Sequence, residues 1–564
     1  MSQRGQHRNL EGLEGMVLPG SKAGAKAQQG SPGTWEIPAS PAAKLAGVSQ
    51  TQSAPGRMVA TSDRAEFEDR RHSRYRQAKA TKRGGTGVWK SEPFVVPSKP
   101  GNSRPEDPVE GRGGRVCEPW EGNMAGTPSP GTVSTKQARI AELAKQAPAL
   151  SFTTLAHHID LRWLYEAFLR TRRDGATGVD GQTSADYAAD LRGNLQRLLD
   201  RAKSGTYRAP PVRRVHIPKG TGPETRPIGI PTFEDKVLQR AVVMVLESVY
   251  EQDFYDCSYG FRPGRSAHQA LETLWQQAMA MGGGWVVEVD IRKFFDTLDH
   301  ARLREFLQRR ISDGVLLRLI GKWLNAGVLE GGVYTTTEQG TPQGGVISPL
   351  LANVYLHYVL DEWFEREVKP RLSGRAFLIR YADDFVIDFS HESDARRVLE
   401  VLPKRFAKYG LTLHPDKTRL VPFQRPSQPP DAEAKGPQPG TFDLLGFTHF
   451  WGRSRRGGWV IQRQTASNRF SRVVRTIAHW CRRHRHLPVA EQYRVLSQKL
   501  RGHDAYYGIT GNYRALSRLR HAVQRVWRTW LARRRAGPLS WDRFSRMVTR
   551  WALPPPCVVH SALA

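Results

Sequence analysis

The chain has 564 residues, of which 39% are apolar, with 85 Lys and Arg against 54 Asp and Glu. That is enough for two or three domains with a substantial core. No uncharged apolar run reaches the roughly eighteen residues that a membrane helix needs, which argues against a membrane span, and the net charge of +31 favours a polyanionic partner.

The charge is unevenly placed. Residues 1–150 hold 22 Lys and Arg against 14 Asp and Glu, residues 151–450 hold 39 against 37, and residues 451–564 hold 24 against 3. A helical segment so one-sided repels itself unless a polyanion neutralises it. The first ten residues are basic, but no apolar segment follows and Glu11 and Glu14 come early, so neither a secretory signal nor an organellar presequence is expected. Cys117, Cys257, Cys481 and Cys557 show no two-residue spacing, the pattern of reduced thiols in a cytoplasmic protein.

In chain order, residues 1–135 are rich in Gly, Pro, Ser and Ala and read as a largely disordered extension. From Ser151 apolar residues recur at helical spacing in Leu161, Leu164, Tyr165 and Phe168, and a folded domain begins. Residues 212–217 and 227–230 read as strands flanking a turn at 219–223, and residues 235–250 as a helix burying Val237, Leu238, Ala241, Val242 and Leu246. A strand at 285–290 ends in Asp290 and leads into Phe294-Phe295-Asp296. Residues 377–389 form two apolar runs around Asp383 and Asp384, a hairpin with acid at its turn. Residues 424–440 are dense in Pro, Gln and Gly and read as a loop. Helices follow at 467–484, 489–507 and 513–535, a basic three-helix unit. The expected class is α+β, with a mixed domain over 151–450, a helical domain over 464–540 and a tail over 541–564.

Asp at a hairpin turn is commonly structural. If the strand bearing Asp290 neighbours the hairpin bearing Asp383 and Asp384, however, the three carboxylates converge, and like charges that close cannot all stay ionised without cations between them. Oxygen donors with no Cys or His nearby suit Mg²⁺. Two such ions about 3.5–4 Å apart serve in-line phosphoryl transfer.

Tyr381-Ala-Asp-Asp384 resembles the tetrapeptide of reverse transcriptases. Arg226-Pro-Ile-Gly-Ile-Pro231, Ser258-Tyr-Gly-Phe-Arg-Pro-Gly-Arg265, Gly340-Thr-Pro-Gln343-Gly-Gly, His414-Pro-Asp-Lys417 and Leu444-Leu-Gly446-Phe are similar to successive blocks of the group II intron members. Residues 175–181 and Leu500-Arg501-Gly502-His-Asp-Ala-Tyr506-Tyr507 resemble their fingers extension and maturase-specific thumb.

The resemblance implies a right-hand polymerase, with fingers and a palm built on a ferredoxin-like antiparallel sheet with helices, followed by an α-helical thumb. It implies Asp290, Asp383 and Asp384 as catalytic ligands of two Mg²⁺ ions, for which Mn²⁺ can substitute. Lys219 and Arg226 would hold the triphosphate, and Phe295 would pack under the sugar and favour deoxynucleotides. Gln343 would touch nucleotide or template, Lys417 would approach the acids, and Gly446 would let the primer backbone pass. On the thumb, Arg501, Tyr506, Tyr507, Arg514 and Arg518 would bind RNA, with Trp527 and Trp530 expected in its core.

The implied function is an RNA-directed DNA polymerase that binds its group II intron RNA, assists splicing as a maturase and copies the intron at DNA targets. Its partners would be intron RNA, an RNA template, a DNA primer and deoxynucleoside triphosphates, with no membrane, in a monomer or homodimer of the bacterial cytoplasm and nucleoid. The alternatives are a splicing cofactor with a vestigial polymerase, or a domesticated or defence-associated relative. Many relatives end in a nuclease module with zinc-binding cysteine pairs; none is present through Ala564, so no DNA cutting is expected.

Overall fold

The computed structural model describes residues 132–218, 225–336, 339–341, 343–426, 440–534 and 539–560. Nearly all of the extension read over 1–135, Lys219 with its turn, and most of the loop at 424–440 lie outside them.

The folded body begins earlier than Ser151. Helix α1 (Val133–Gln146) is capped by Thr132 and buries Val133, Ile140 and Ala144, a spacing that puts all three on one face. It is followed by α2 (Leu161–Arg170) and α3 (Leu191–Ser204), each started by an Asp side chain that accepts a first-turn N–H. Strands β1 (Val212–Pro218) and β2 (Thr225–Ile230) pair antiparallel, with Arg214 opposite Gly229 and Ile217 opposite Arg226. Helix α4 (Phe233–Tyr250) is apolar on nearly every face, as a helix surrounded by protein must be. Trp163 crosses to it, donating its indole N–H to the Ala241 carbonyl at 2.9 Å.

The middle of the chain builds one antiparallel sheet. Helix α5 (Ala267–Met281) precedes β3 (Gly283–Val289). Helices α6 (His300–Gln308) and α7 (Gly314–Leu324) lead to the short hairpin β4 (Val328–Glu330) and β5 (Val333–Thr335), which joins β1 through a parallel β1–β4 pair. After α8 (Ser348–Leu356), extended by irregular helical turns to Arg371, come β6 (Ala376–Tyr381) and β7 (Asp384–Phe389). Helix α9 (Glu392–Ala407) and β8 (Arg419–Gln424) complete the unit.

The spatial order is β6-β7-β3-β8, the arrangement of a ferredoxin-like β-α-β-β-α-β unit. Period-two alternation splits its side chains between two cores. Val287, Val289, Phe385, Ile387 and Phe389 face α9 and the main core. Val286, Val386, Ile379, Val421 and Phe423 face α5 and a second sheet. That second sheet is β9 (Phe442–Leu444), β10 (Phe447–Arg453) and β11 (Trp459–Thr465), which the sequence reading had not assigned to strands. It is anchored where the Trp275 and Trp451 indoles donate to the Ile461 and Phe423 carbonyls, each at 2.8 Å.

Helices α10 (Ser467–Arg483), α11 (Val489–Tyr507) and α12 (Tyr513–Ala532) match the expected three-helix unit within three residues at each end. A fourth helix, α13 (Trp541–Arg550), occupies what reads in the sequence as a tail. It sends Phe544 into the core formed by Ile477, Cys481, Leu496, Leu519, Val523 and Trp527. Cys257, Cys481 and Cys557 are free thiols.

Candidate active site

Asp290 stands at the end of β3, and Asp383 and Asp384 close the β6–β7 hairpin. The β3–β7 register pairs Val289 with Phe385, so the next position brings Asp290 opposite Asp384. Their mutual effect is electrostatic as well as geometric. Asp384 is pushed up to about 6, first by burial, then by the charges of Asp383 and Asp290, against the pull of Arg469 and Lys417. Asp383 is likewise raised by burial and by Asp290, with Arg226 and Arg380 opposing. Both shifts have the sign expected of desolvated like charges.

The acidic turn is strained and braced. Ala382 lies at φ 58°, a left-handed conformation that costs a residue with a Cβ about 1–3 kcal/mol. Arg380, fully buried, stabilises it. Its guanidinium donates to the Ala382 carbonyl at 3.1 Å, to both Asp361 oxygens at 2.8 and 2.6 Å, to Asn353 Oδ1 at 2.9 Å and to Ser258 Oγ at 2.7 Å. Every donor of the fork is used. Ser258 and Tyr259 run along β6, with Arg380 N–H donating to Cys257 O at 2.8 Å and Tyr259 N–H to Arg380 O at 2.9 Å. Next to them Gly260 meets the turn so closely that a Cβ would lie 2.3 Å from Ala382 N. The block at 258–265 therefore supports the acidic turn, a role its sequence did not disclose. The Arg380–Asp361 pair was also missed, because its members are nineteen positions apart and neither stands in a motif.

Lys417 Nζ lies 2.5 Å from Asp290 Oδ2, presented by a turn whose His414 N–H donates to the Asp290 carbonyl at 2.8 Å. Arg226 is exposed on β2 and close enough to act on Asp383. Phe294 and Phe295 sit on a single helical turn, Phe294–Thr297, not on a strand. Phe294 is core, whereas Phe295 is half-buried and lines a cavity of about 300 Å³ with Arg214, His216, Gly229 and Gln343. Gln343 donates to Asp296 at 3.3 Å, and its carbonyl accepts from Gly229 N–H at 2.7 Å, tying the β1–β2 hairpin to this turn. Gly344, at φ 119°, permits that approach: a Cβ there would stand 2.6 Å from the Gly229 carbonyl.

Gly446 forms the β9–β10 turn at φ 83°, where a Cβ would meet the Tyr507 hydroxyl at 2.8 Å. Tyr506 donates to the Leu445 carbonyl at 2.8 Å, and both tyrosines pack on Phe447, at 5.8 and 5.1 Å between rings. These two side chains thus form a joint between α11 and the β9–β10 turn, half-buried. Arg501, Arg514 and Arg518 are exposed on the helical unit. Trp527 is buried, and Trp530 is only partly covered, with Arg533 over its ring at 4.5 Å.

Hard carboxylate oxygens from three aspartates, with no Cys or His among them, fit Mg²⁺. Among the described residues no three His, Cys, Asp or Glu close a metal cage on their own.

The family model described as reverse transcriptase (RNA-dependent DNA polymerase) matches residues 217–449, the span that carries all of these acids. Protein YkfC of Escherichia coli K12 is 38% identical over 289 residues, covering 45% of this chain and 75% of that protein. Group II intron-encoded protein LtrA of Lactococcus lactis is 41% identical over 217 residues, 37% of this chain and 35% of LtrA. Nuclear intron maturase 2, mitochondrial, of Arabidopsis thaliana is 27% identical over 233 residues, 34% of this chain and 30% of that protein. The matches thus span about a third of LtrA and of the plant maturase. The chain belongs to the reverse transcriptase family and resembles its group II intron-encoded members.

Proposed function

We propose that the chain is an RNA-directed DNA polymerase that also binds a group II intron RNA, assists its splicing and copies it at DNA targets. The observation that carries the polymerase reading is the meeting of Asp290, Asp383 and Asp384 at one edge of the central sheet, with Arg226 on one flank and Lys417 on another. In this reading the β6-β7-β3-β8 sheet is the palm, the β1–β2 hairpin belongs to the fingers, and α10–α13 form the thumb.

Asp290, Asp383 and Asp384 would hold two Mg²⁺ ions, or Mn²⁺ in their place, which when bound supply charge neutralisation at the reacting phosphate. Arg226 binds the triphosphate of the incoming deoxynucleotide as a planar donor fork, and Lys219, outside the described residues, is its partner in this reading. Phe295 stands under the sugar and leaves no space for a 2′-hydroxyl, while Gln343, fixed through Asp296 and Gly229, borders the base pair being formed. Lys417 holds Asp290 in place until nucleotide arrives. Gly446 lets the primer strand pass close to the backbone. The growing strand's 3′-oxygen attacks the α-phosphorus in line and pyrophosphate leaves.

The maturase half is supported by the likeness to LtrA and to the plant maturase, and by the 24 cations against three anions beyond residue 450. Exposed Arg501, Arg514 and Arg518 bind RNA phosphates. Primer extension on an RNA template with Mg²⁺ tests the polymerase reading. The wild type incorporates deoxynucleotides, and the double variant Asp383→Ala, Asp384→Ala incorporates none; equal synthesis by both would refute the site.

A further inference from the structure

Each of the three carboxylates feels a cation from a different part of the chain. Lys417 bonds Asp290, Arg226 acts on Asp383, and the foremost cation acting on Asp384 is Arg469. Arg469 is the third residue of α10, and it is exposed. It makes no ion pair or side-chain hydrogen bond among the described residues. Its place is electrostatically unfavourable, because the first turn of a helix repels a cation, and that turn contains no acid to offset it. The side chain stem runs beside the Gly446 turn, with Cγ 3.6 Å from where a Cβ of that glycine would stand. The turn and the helix start are joined, since Ala466 N–H donates to the Gly446 carbonyl at 3.0 Å. The Arg469 charge also reaches Tyr506 and Tyr507 at the same joint.

From this placement we infer that Arg469 binds the last phosphodiester of the strand being extended. An exposed, unpaired guanidinium whose stem lies against the Gly446 turn and whose charge reaches Asp384 stands where a strand that ends at the carboxylates would pass. A phosphodiester oxygen offers the charge-assisted acceptor that the fork lacks in the free protein, and its negative charge relieves the conflict with the helix dipole. The triphosphate is a poorer occupant, since Arg226, on the β1–β2 hairpin, already acts on Asp383. Arg469 would therefore set the position of the 3′-end and would not take part in bond making. This inference rests on the polymerase reading above.

The test uses the full chain, an RNA template and two DNA primers that differ only in the last internucleotide linkage, phosphodiester or uncharged methylphosphonate. For the normal primer, Arg469→Met raises the primer KM by about 10–100-fold, the loss of one charge-assisted contact, with kcat at saturating primer changed by less than about 3-fold. The methylphosphonate costs the wild type a similar factor but costs Arg469→Met less than about 3-fold, because the contact is already gone. Arg469→Lys, which keeps the charge and loses the fork, falls between them; should the Met variant fail to fold, the Lys and Gln variants carry the same comparison. An unchanged primer KM, or losses from substitution and methylphosphonate that multiply, would overturn the assignment. Extension of the normal primer by the wild type reports separately on the polymerase reading.

Discussion

The sheet that bears the acids and the helical unit that follows it solve opposite electrostatic problems. Around β3, β6 and β7 the charged groups are few, and the pair that braces the acidic turn is buried and mutually committed: Arg380 and Asp361 are both fully enclosed and bonded to each other. Beyond β11 the charges are many, nearly all positive and exposed, and the core beneath them is a narrow apolar seam around Trp527. The first arrangement holds three carboxylates in a fixed place at the cost of strain. The second leaves cations unpaired for a partner that the chain does not itself supply. Enzymatic precision and polyanion affinity are thus assigned to different parts of one chain, and the Leu445–Gly446 turn with Tyr506 and Tyr507 is where they meet.

That contrast can be broken first at Arg380. Arg380→Met leaves Asp361 buried and unpaired, and should lower stability by about 3–5 kcal/mol in chemical denaturation; a loss below about 1 kcal/mol would mean that the network does not brace the turn. The second test concerns Asp388, buried on β7 with no partner at hydrogen-bond geometry and only the Phe389 backbone to favour its charge. Burial pushes this carboxyl up to about 7. A carboxyl raised in the folded state contributes stability that is full below its unfolded value near 4 and is lost as pH rises through 7. Asp388→Asn should therefore stabilise the protein by about 2–4 kcal/mol at pH 8 and little at pH 4, read as a Tm difference that grows with pH. A difference independent of pH would contradict the account.

At the joint, Gly446→Ala must adopt a left-handed conformation and move the Tyr507 hydroxyl. We expect a loss of about 1–2 kcal/mol by thermal melting, restored in part when Tyr507→Phe removes that oxygen. The smallest effect belongs to the exposed face of the helical unit. Arg514→Gln with Arg518→Gln should leave stability unchanged and reduce the slope of log affinity for structured RNA against log salt by about 1–2; an unaltered slope would remove both residues from the interface.

The same contrast explains what could be read from the sequence. The 381–389 hairpin and the strand ending at Asp290 were legible because apolar runs of strand length are interrupted by acids. The helix starts at 467, 489 and 513 were legible because apolar residues recur every three or four positions. The support for the acidic turn was not. Arg380, Asp361, Asn353 and Ser258 come from three segments, and only folding makes them neighbours. Strands β10 and β11 escaped notice because they hold His449, Arg453, Gln462 and Arg463 among their apolar residues. Helix α1 was masked by the Gly- and Pro-rich sequence before it, and α13 buries a single residue, Phe544. Tyr506 and Tyr507 look in sequence like stacking platforms in a basic helix, yet they serve the joint, because a tyrosine's two uses leave the same trace in composition.

The most direct measurement is of how the three acids combine. Single-turnover extension rates on an RNA template should be determined for Asp290→Asn, Asp383→Asn and the double variant. If the acids act as one unit, each single substitution removes nearly all of the rate and the double variant is scarcely slower than either. Losses that multiply across the two positions, or an Asp290→Asn enzyme as fast as the wild type, would contradict the account.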